Sequence, residues 1–554
     1  MRITNTQPQK KWTVLYYLDG KNNLSPMAEH TFKSLDKIGS DDNVNLVAEI
    51  GLDDGYVQRG LIEKGKSVAD FKPVGTMGMT DMGSADSVAE FLEWGMKKYP
   101  AEHYAVVLWD HGAGFKGILT DDEFGSVVSN EDLAQAMSQA QARTGKRIDV
   151  VHFNACLMNQ AEVAYALKDS ADYMVGSEET QAGFALPIPG IYGTTPQHKV
   201  AADLQEAKGN LSGKQLAELF VYEAGSQLGS SIFTPTHAAI DLSQAAPLRN
   251  TTENLAATVL STIAADPAAV DRVRSVIKAS QHYLVAEHVE PYSDYRDLGD
   301  FAKRLAKEFK DKPALVQAAQ QVEQQLARAV IAENHAFSSM GSRMDGSTGL
   351  SVYLPTDFGY DEETISPLDG LPMGGTHNYE KTAFARNSNW LAMLDAISTP
   401  ETSPAAGFHI PGKAKMLLNL GRFELPFVAA SVAGGSLGAL AIPTALIAGV
   451  DAMTRLGPSL SKLQAGVAAG EHGLAFEGLF KTGTALAQGA AAGALVMGSP
   501  ETAALLSLGS LAADGLYEGV KLSGKLWNHV HPKSVEDKLE AVQGANFQPN
   551  LKAA

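Results

Sequence analysis

His111 and Cys156 are the residue pair of this chain whose types and positions suit covalent chemistry. Cys156 is the single cysteine among 554 residues, which rules out an intramolecular disulfide and any multi-cysteine zinc or iron–sulfur site. It is either inert packing or a reactive thiol. A thiolate can attack a peptide carbonyl, an imidazole can manage the proton, and backbone N–H groups can hold the oxyanion that forms. His111 stands in WDHGAG just after the apolar run Tyr104–Trp109, and Cys156 stands in FNACLM just after Ile148–Phe153. The backbone N–H groups of Gly112 and Cys156 are the candidate oxyanion donors. Glycines at 112 and 114 let the backbone approach a substrate closely. A lone cysteine, taken by itself, is more often a small buried hydrophobe. A histidine and a cysteine that each follow a strand, 45 positions apart (156 minus 111), turn that balance toward catalysis.

The elements that must position the pair are legible from periodicity. Trp12–Leu18 is a continuous apolar and aromatic run, as in a strand buried on both faces. Ser25 can cap a following helix with Pro26 at its first position, and Ala28, Phe32 and Leu35 share one face before Gly39. Val44–Ile50 reads as a second strand. Ser87 and Glu90 form a capping-box pattern opening a helix that carries Val88, Phe91, Leu92, Met96 and Tyr99. Amphipathic stretches over 131–142 and 159–168 separate the later strands, the last of which is Tyr173–Val175. This alternation predicts an α/β fold: a mostly parallel sheet flanked by helices, with chemistry at the strands' carboxyl ends. If the strands ending at Trp109 and Phe153 are neighbours, His111 and Cys156 lie within reach of each other. Residues 298–337 read as helices, and Gly349–Pro355 returns to strand character.

The length calls for a large catalytic unit plus an appendage. A net charge of -18 argues against a phosphate-backbone partner, so no nucleic acid is expected. Residues 1–11 lack an apolar core of signal-peptide length, which leads to the expectation of a cytoplasmic protein or one exported by a signal-independent route. After Ser398 the composition becomes rich in Pro, Ser and Thr, then small and apolar. The expected organisation is a tail (1–10), a peptidase unit (11–398), a linker (399–420), an Ala/Gly-rich α-helical region (421–530) and a C-terminal tail (531–554). Leu425–Val450 carries no charge and is long enough to span a bilayer. Its clustered glycines and Pro443 favour packed helices over membrane association.

The ordered set YYLDGKNNL, VLWDHGAG, FNACLMNQAEVAYAL, VGSEE and GLSVYLP resembles the clostripain-like cysteine peptidases, over about residues 11–397. The resemblance implies a caspase-type fold and endopeptidase action on protein or peptide substrates. It implies a Cys-His dyad without an obligatory third member, His111 as general base and Cys156 as nucleophile. Self-cleavage and calcium stimulation often accompany the family, and no cofactor is required. Relatives commonly carry Asp two positions before the cysteine, to grip a basic side chain, where this chain has Asn154. The segment after Glu179 is apolar where relatives are polar. Both departures lower the expectation of cleavage after Arg or Lys. Asn154, Ser177, Glu178 and Glu179 are the candidate substrate-binding residues, with Glu178 and Glu179 read either as a source of charge or as a solvated pair. No metal ligand set is assigned, and Asp121-Asp122-Glu123 reads as an exposed acidic turn. The competing reading is a catalytically degenerate scaffold or a membrane-active interaction protein.

Overall fold

The computed structural model describes residues 9–52, 56–74, 80–181, 197–226, 236–283, 295–336, 338–339, 342–355, 376–398 and 534–544. Strands β1 (Lys10–Gly20), β2 (Val44–Leu52), β3 (Val57–Leu61), β4 (Lys72–Val74) and β5 (Ala101–Trp109) precede a hairpin, β6 (Ile118–Asp121) and β7 (Ser126–Val128). Then come β8 (Val150–Asn154), β9 (Tyr173–Gly176), β10 (Thr236–Asp241), β11 (Tyr295–Asp297) and β12 (Val330–His335). Nine of these form one sheet in the order β12-β10-β9-β8-β5-β1-β2-β3-β4. The five central strands, β2, β1, β5, β8 and β9, are parallel neighbours, and antiparallel pairs extend both edges. The α/β architecture is the expected one.

Alternation along each central strand splits the core into two layers. Leu15, Tyr17, Val106, Leu108, Val151 and Phe153 face helices α2 (Ala85–Lys98), α3 (Asn130–Thr144) and α4 (Ala161–Leu167), while Trp12, Val14, Tyr16, Val107 and Val150 face the other layer. That second layer holds α1 (Ser25–Leu35), the crossover between the parallel neighbours β1 and β2, together with α5 (Gln197–Glu206), α6 (Gly213–Ser226) and a C-terminal helix, Val535–Gly544. Central strands covered on both faces explain why their sequences are continuously apolar rather than alternating.

Four expectations change at element ends, the first at α1, where Leu24 rather than Ser25 takes the N-cap position and no side chain caps the helix. α2 starts at Ala85 with Ser84 at its N-cap position, and Ser87 lies inside the first turn, where its hydroxyl donates to the Asp81 carbonyl at 2.6 Å. The capping-box reading at Ser87–Glu90 therefore fails, because Ser87 is the third residue of the helix rather than the residue that precedes it. The stretch 298–337 holds two helices, Leu298–Glu308 and Pro313–Ala329, and then β12, whose pairing with β10 overrides local periodicity. Within the expected tail 531–554, the described residues 534–544 hold a packed helix. Val535, Leu539 and Val542 are buried, and the Lys538 ammonium lies 2.7 Å from Asp203 Oδ1 and 3.1 Å from Glu223 Oε1. The chain divides into two units, 1–405 with 533–554, and 406–532. The expected linker (399–420) and apolar region (421–530) lie outside the described residues. Among the described residues no helix is long and apolar enough to cross a membrane.

Candidate active site

Register decides what meets at the sheet's carboxyl edge. β5 and β8 pair in parallel with Trp109 opposite Asn154, so His111 and Cys156 each stand two residues past the same paired position on neighbouring strands. Gly112 shows how closely the two loops pack: a Cβ built on it would meet the Cys156 carbonyl oxygen at 2.7 Å and Ala155 Cβ at 3.0 Å. Only glycine fits there, and its fit brings the Gly112 and Cys156 main chains into contact.

The histidine loop is folded back on itself. Leu119 N–H donates to the His111 carbonyl at 3.2 Å and Ala113 N–H to that of Gly117 at 3.0 Å, so the start of β6 braces the turn. Asp110, buried just before His111, accepts from Asn22 Nδ2 at 2.6 Å, from the Thr120 hydroxyl at 3.1 Å and from the Thr120 N–H. Burial raises the Asp110 carboxyl to about 8 and the Asp19 carboxyl well above the ordinary carboxylate range, and the neighbouring Asp110 raises that of Asp19 further. Partly buried His111 places Nε2 2.7 Å from Asn23 Oδ1.

The cysteine sits on a sharp turn. Leu157, directly after it, has φ 65°, a left-handed conformation that a non-glycine residue adopts at a cost of about 1–2 kcal/mol. That turn is held by Leu157 N–H on the Glu179 carbonyl at 3.3 Å and Asn159 N–H on that of Ser177 at 3.0 Å. Beside the sulfur runs Gln181, whose N–H lies 3.4 Å from Sγ and whose carbonyl oxygen lies 3.5 Å from it. Burial pushes the Cys156 thiol up to about 11, with the Gln181 N–H acting in the opposite sense.

The remaining candidates divide. Asn154 is buried at the tip of β8, and its Nδ2 has no hydrogen-bond partner. The Gln181 side chain reaches back to the Ala155 carbonyl at 3.3 Å, leaving its own Oε1 unpartnered. Ser177, Glu178 and Glu179 are buried rather than solvated. The Ser177 hydroxyl pairs with Thr236 Oγ1 at 2.8 Å. Glu178 accepts from the Tyr283 hydroxyl at 2.6 Å and from Gly349 N–H at 3.2 Å, and burial beside Asp297 raises its carboxyl well above the usual range. Glu179 Oε1 accepts from its neighbour Thr180 N–H at 2.7 Å. These three brace the loops behind the cysteine. Beyond Gln181, the apolar segment to Gly190 lies outside the described residues.

Two of the three acidic side chains of the turn at 121–123 are already engaged. Asp121 is buried and spends its carboxylate on the Met82, Glu123 and Phe124 N–H groups, while Glu123 pairs with Lys21 at 2.5 Å. Among the described residues no group of three His, Cys, Asp or Glu side chains is arranged to hold a metal ion.

A sequence model of the clostripain family, peptidase group C11, matches residues 16–396. The chain belongs to the clostripain family. Clostripain from Hathewaya histolytica is 22% identical over 408 residues, covering 64% of this chain and 76% of that relative. Among solved structures it is similar to a secreted C11 cysteine protease, iotapain, from Bacteroides thetaiotaomicron (17% identity, TM-score 0.47, 68% of this chain and 99% of that one). An inactive zymogen C11 protease from Parabacteroides distasonis matches at 18% identity and TM-score 0.47, covering 71% of this chain and 100% of that one. The family match over most of the sheet-bearing unit makes this chain a cysteine-type peptidase.

Sequence reading passed over one part of this clostripain-family site. Asn22 and Asn23 stand in the run KNNL directly after β1, and no role was read from them. Two short amides after a fully buried strand, at the edge where parallel strands end, are the signal that was present.

Proposed function

We propose that this clostripain-family chain is an endopeptidase in which Cys156 is the nucleophile and His111 the general base. The register that pairs Trp109 with Asn154 supports this reading, because each group follows that pair by two residues at the same edge of the sheet. With the thiol pushed up to about 11, the resting sulfur keeps its proton at neutral pH. His111 therefore takes that proton as sulfur attacks the peptide carbonyl carbon. The N–H groups of Gly112 and Cys156 hold the oxyanion, and the imidazolium passes its proton to the leaving amine. Water, deprotonated by the same imidazole, then hydrolyses the thioester, returning the thiol. No cofactor is required.

The side chain preceding the cleaved bond is uncharged in this reading. Asn154 and Gln181 supply a donor (Nδ2) and an acceptor (Oε1), both buried, uncharged and unpartnered, next to the nucleophile. A buried amide offers a hydrogen bond to a neutral polar side chain and nothing to offset a desolvated cation. The test is digestion of a mixed peptide library by wild type and Cys156→Ala, with and without calcium, read by mass spectrometry. Cuts that vanish with Cys156, follow neutral residues, and shift toward Arg or Lys in Asn154→Asp are expected. Identical profiles for wild type and Cys156→Ala would sink the catalytic reading, and wild-type cleavage after Arg or Lys would sink the specificity.

A further inference from the structure

We infer that Asn23 is a positioning residue that completes the His111–Cys156 pair, fixing the ring and its tautomer through the 2.7 Å contact between Asn23 Oδ1 and His111 Nε2. This rests on the reading of His111 as the base. The contact follows from how both loops are tied down rather than from a chance encounter of long side chains. Asn23 follows Asn22, whose Nδ2 grips Asp110 Oδ1 at 2.6 Å and the Thr120 carbonyl at 2.8 Å, and whose Oδ1 accepts from Leu24 N–H at 2.9 Å. His111 follows Asp110, the other half of that grip. The two hydrogen-bonded pairs, Asn22–Asp110 and Asn23–His111, are thus consecutive rungs between the loops that leave β1 and β5. Gly20 sets the start of the first loop, since a Cβ there would meet Ala28 Cβ at 2.7 Å and the Gly51 carbonyl oxygen at 2.9 Å.

The chemical consequence is specific. An amide oxygen can only accept, so the ring nitrogen facing it carries the hydrogen, and in the neutral imidazole Nδ1 keeps the lone pair. The thiol proton moves from Sγ to Nδ1, and from Nδ1 to the leaving amine. Nε2 keeps its hydrogen throughout, and Asn23 steadies the imidazolium formed between the two transfers.

The experiment compares wild type, Asn23→Ala and Asn23→Asp in full-length protein. Two readouts are used: kcat and KM across pH on a peptide cut by wild type, and the rate of iodoacetamide alkylation across pH. Alkylation reports Cys156 alone because the chain has no other thiol. Asn23→Ala is expected to lower kcat by about ten- to a hundredfold with KM within about twofold. Asn23→Asp keeps the acceptor, so it recovers most of that loss. Its negative charge holds the ring proton more tightly, which moves the acid limb of both profiles to higher pH. A residue that merely supports the loop would alter thermal stability and leave both pH profiles in place. Profiles of Asn23→Ala that superimpose on wild type overturn the inference, and so does a gain in kcat, which would make the contact a restraint on His111. If wild type shows no Cys156-dependent cleavage, the base role of His111 falls. The alkylation profile then still decides the pairing: no response to either Asn23 substitution rejects it.

Discussion

His111 and the pair His152–His237 meet opposite conditions at the tip and in the interior of this sheet. His111 stands past the tip of β5, partly exposed and hydrogen-bonded to Asn23. His152 of β8 and His237 of β10 lie inside the sheet with their Nε2 atoms 3.1 Å apart, both Nδ1 atoms unpartnered, and the Phe220 ring stacked on His152 at 4.2 Å. Burial pulls both well below the ordinary imidazole range, His237 to about 4, so neither carries charge at neutral pH. His152 is four residues from Cys156, far nearer in sequence than His111, yet it faces the α6 layer. In the proposed mechanism, strand position, rather than residue type or sequence proximity, selects the base.

The largest effect expected from that contrast is on turnover. His111→Ala should lower kcat/KM by about 10²–10⁴-fold with little change in thermal midpoint, because a general base contributes on that scale and a partly exposed ring carries little packing. His237→Gln should do the reverse, leaving kcat/KM within about twofold below the thermal transition while shifting the transition itself. Paired activity assays and melts check both, and loss of activity from His237→Gln in folded protein would erase the distinction between tip and interior.

Next in size is Gly112→Ala, which leaves every ionisable group in place. The added Cβ meets the Cys156 carbonyl oxygen at 2.7 Å, so one of the two loops must move. Displacement of reacting groups by about 1 Å costs on the order of 10² in rate. The expected result is a kcat reduced about a hundredfold with cysteine alkylation still measurable. Wild-type kcat would mean that the loops are slack and that register alone does not set the geometry.

How far the sequence carries depends on what each residue answers to. β1, β2, β5 and β8 were legible because burial on both faces writes itself as unbroken apolar runs, and the positions of His111 and Cys156 followed from counting past their ends. The edge strands were not: β3, with Gln58 and Arg59, and β4, with Lys72 and Pro73, carry too little apolar signal, and β12 exists through its pairing with β10 some 90 residues away. Glu178 shows the limit most clearly. Its position in VGSEE suggested a charge at the site, whereas its partners, Tyr283, Asp297 and Gly349, come from more than 100 positions downstream and turn it into a buried brace. Asn23 was missed for the same reason, since its contact with His111 joins residues 88 positions apart.

The smallest expected effect concerns the interior pair and separates it from the tip by pH. A histidine held below its unfolded value binds fewer protons folded than unfolded between the two values. Stability is therefore full above about pH 6.5 and is lost as pH falls toward 4, at about 1.4 kcal/mol per pH unit for one proton. Glu49 and Glu162, which burial raises to about 7, act oppositely, since they hold extra protons when folded and so favour the native state toward acid. Because these carboxyls are common to wild type and to a His152→Gln, His237→Gln double variant, the difference between their urea-melt stabilities isolates the imidazoles. That difference should grow steadily from pH 6.5 to 4.5 as wild type loses ground. Parallel curves over this range would mean that the pair reaches solvent or a hydrogen-bond acceptor for the imidazolium when folded, and the interior site would then resemble the tip after all.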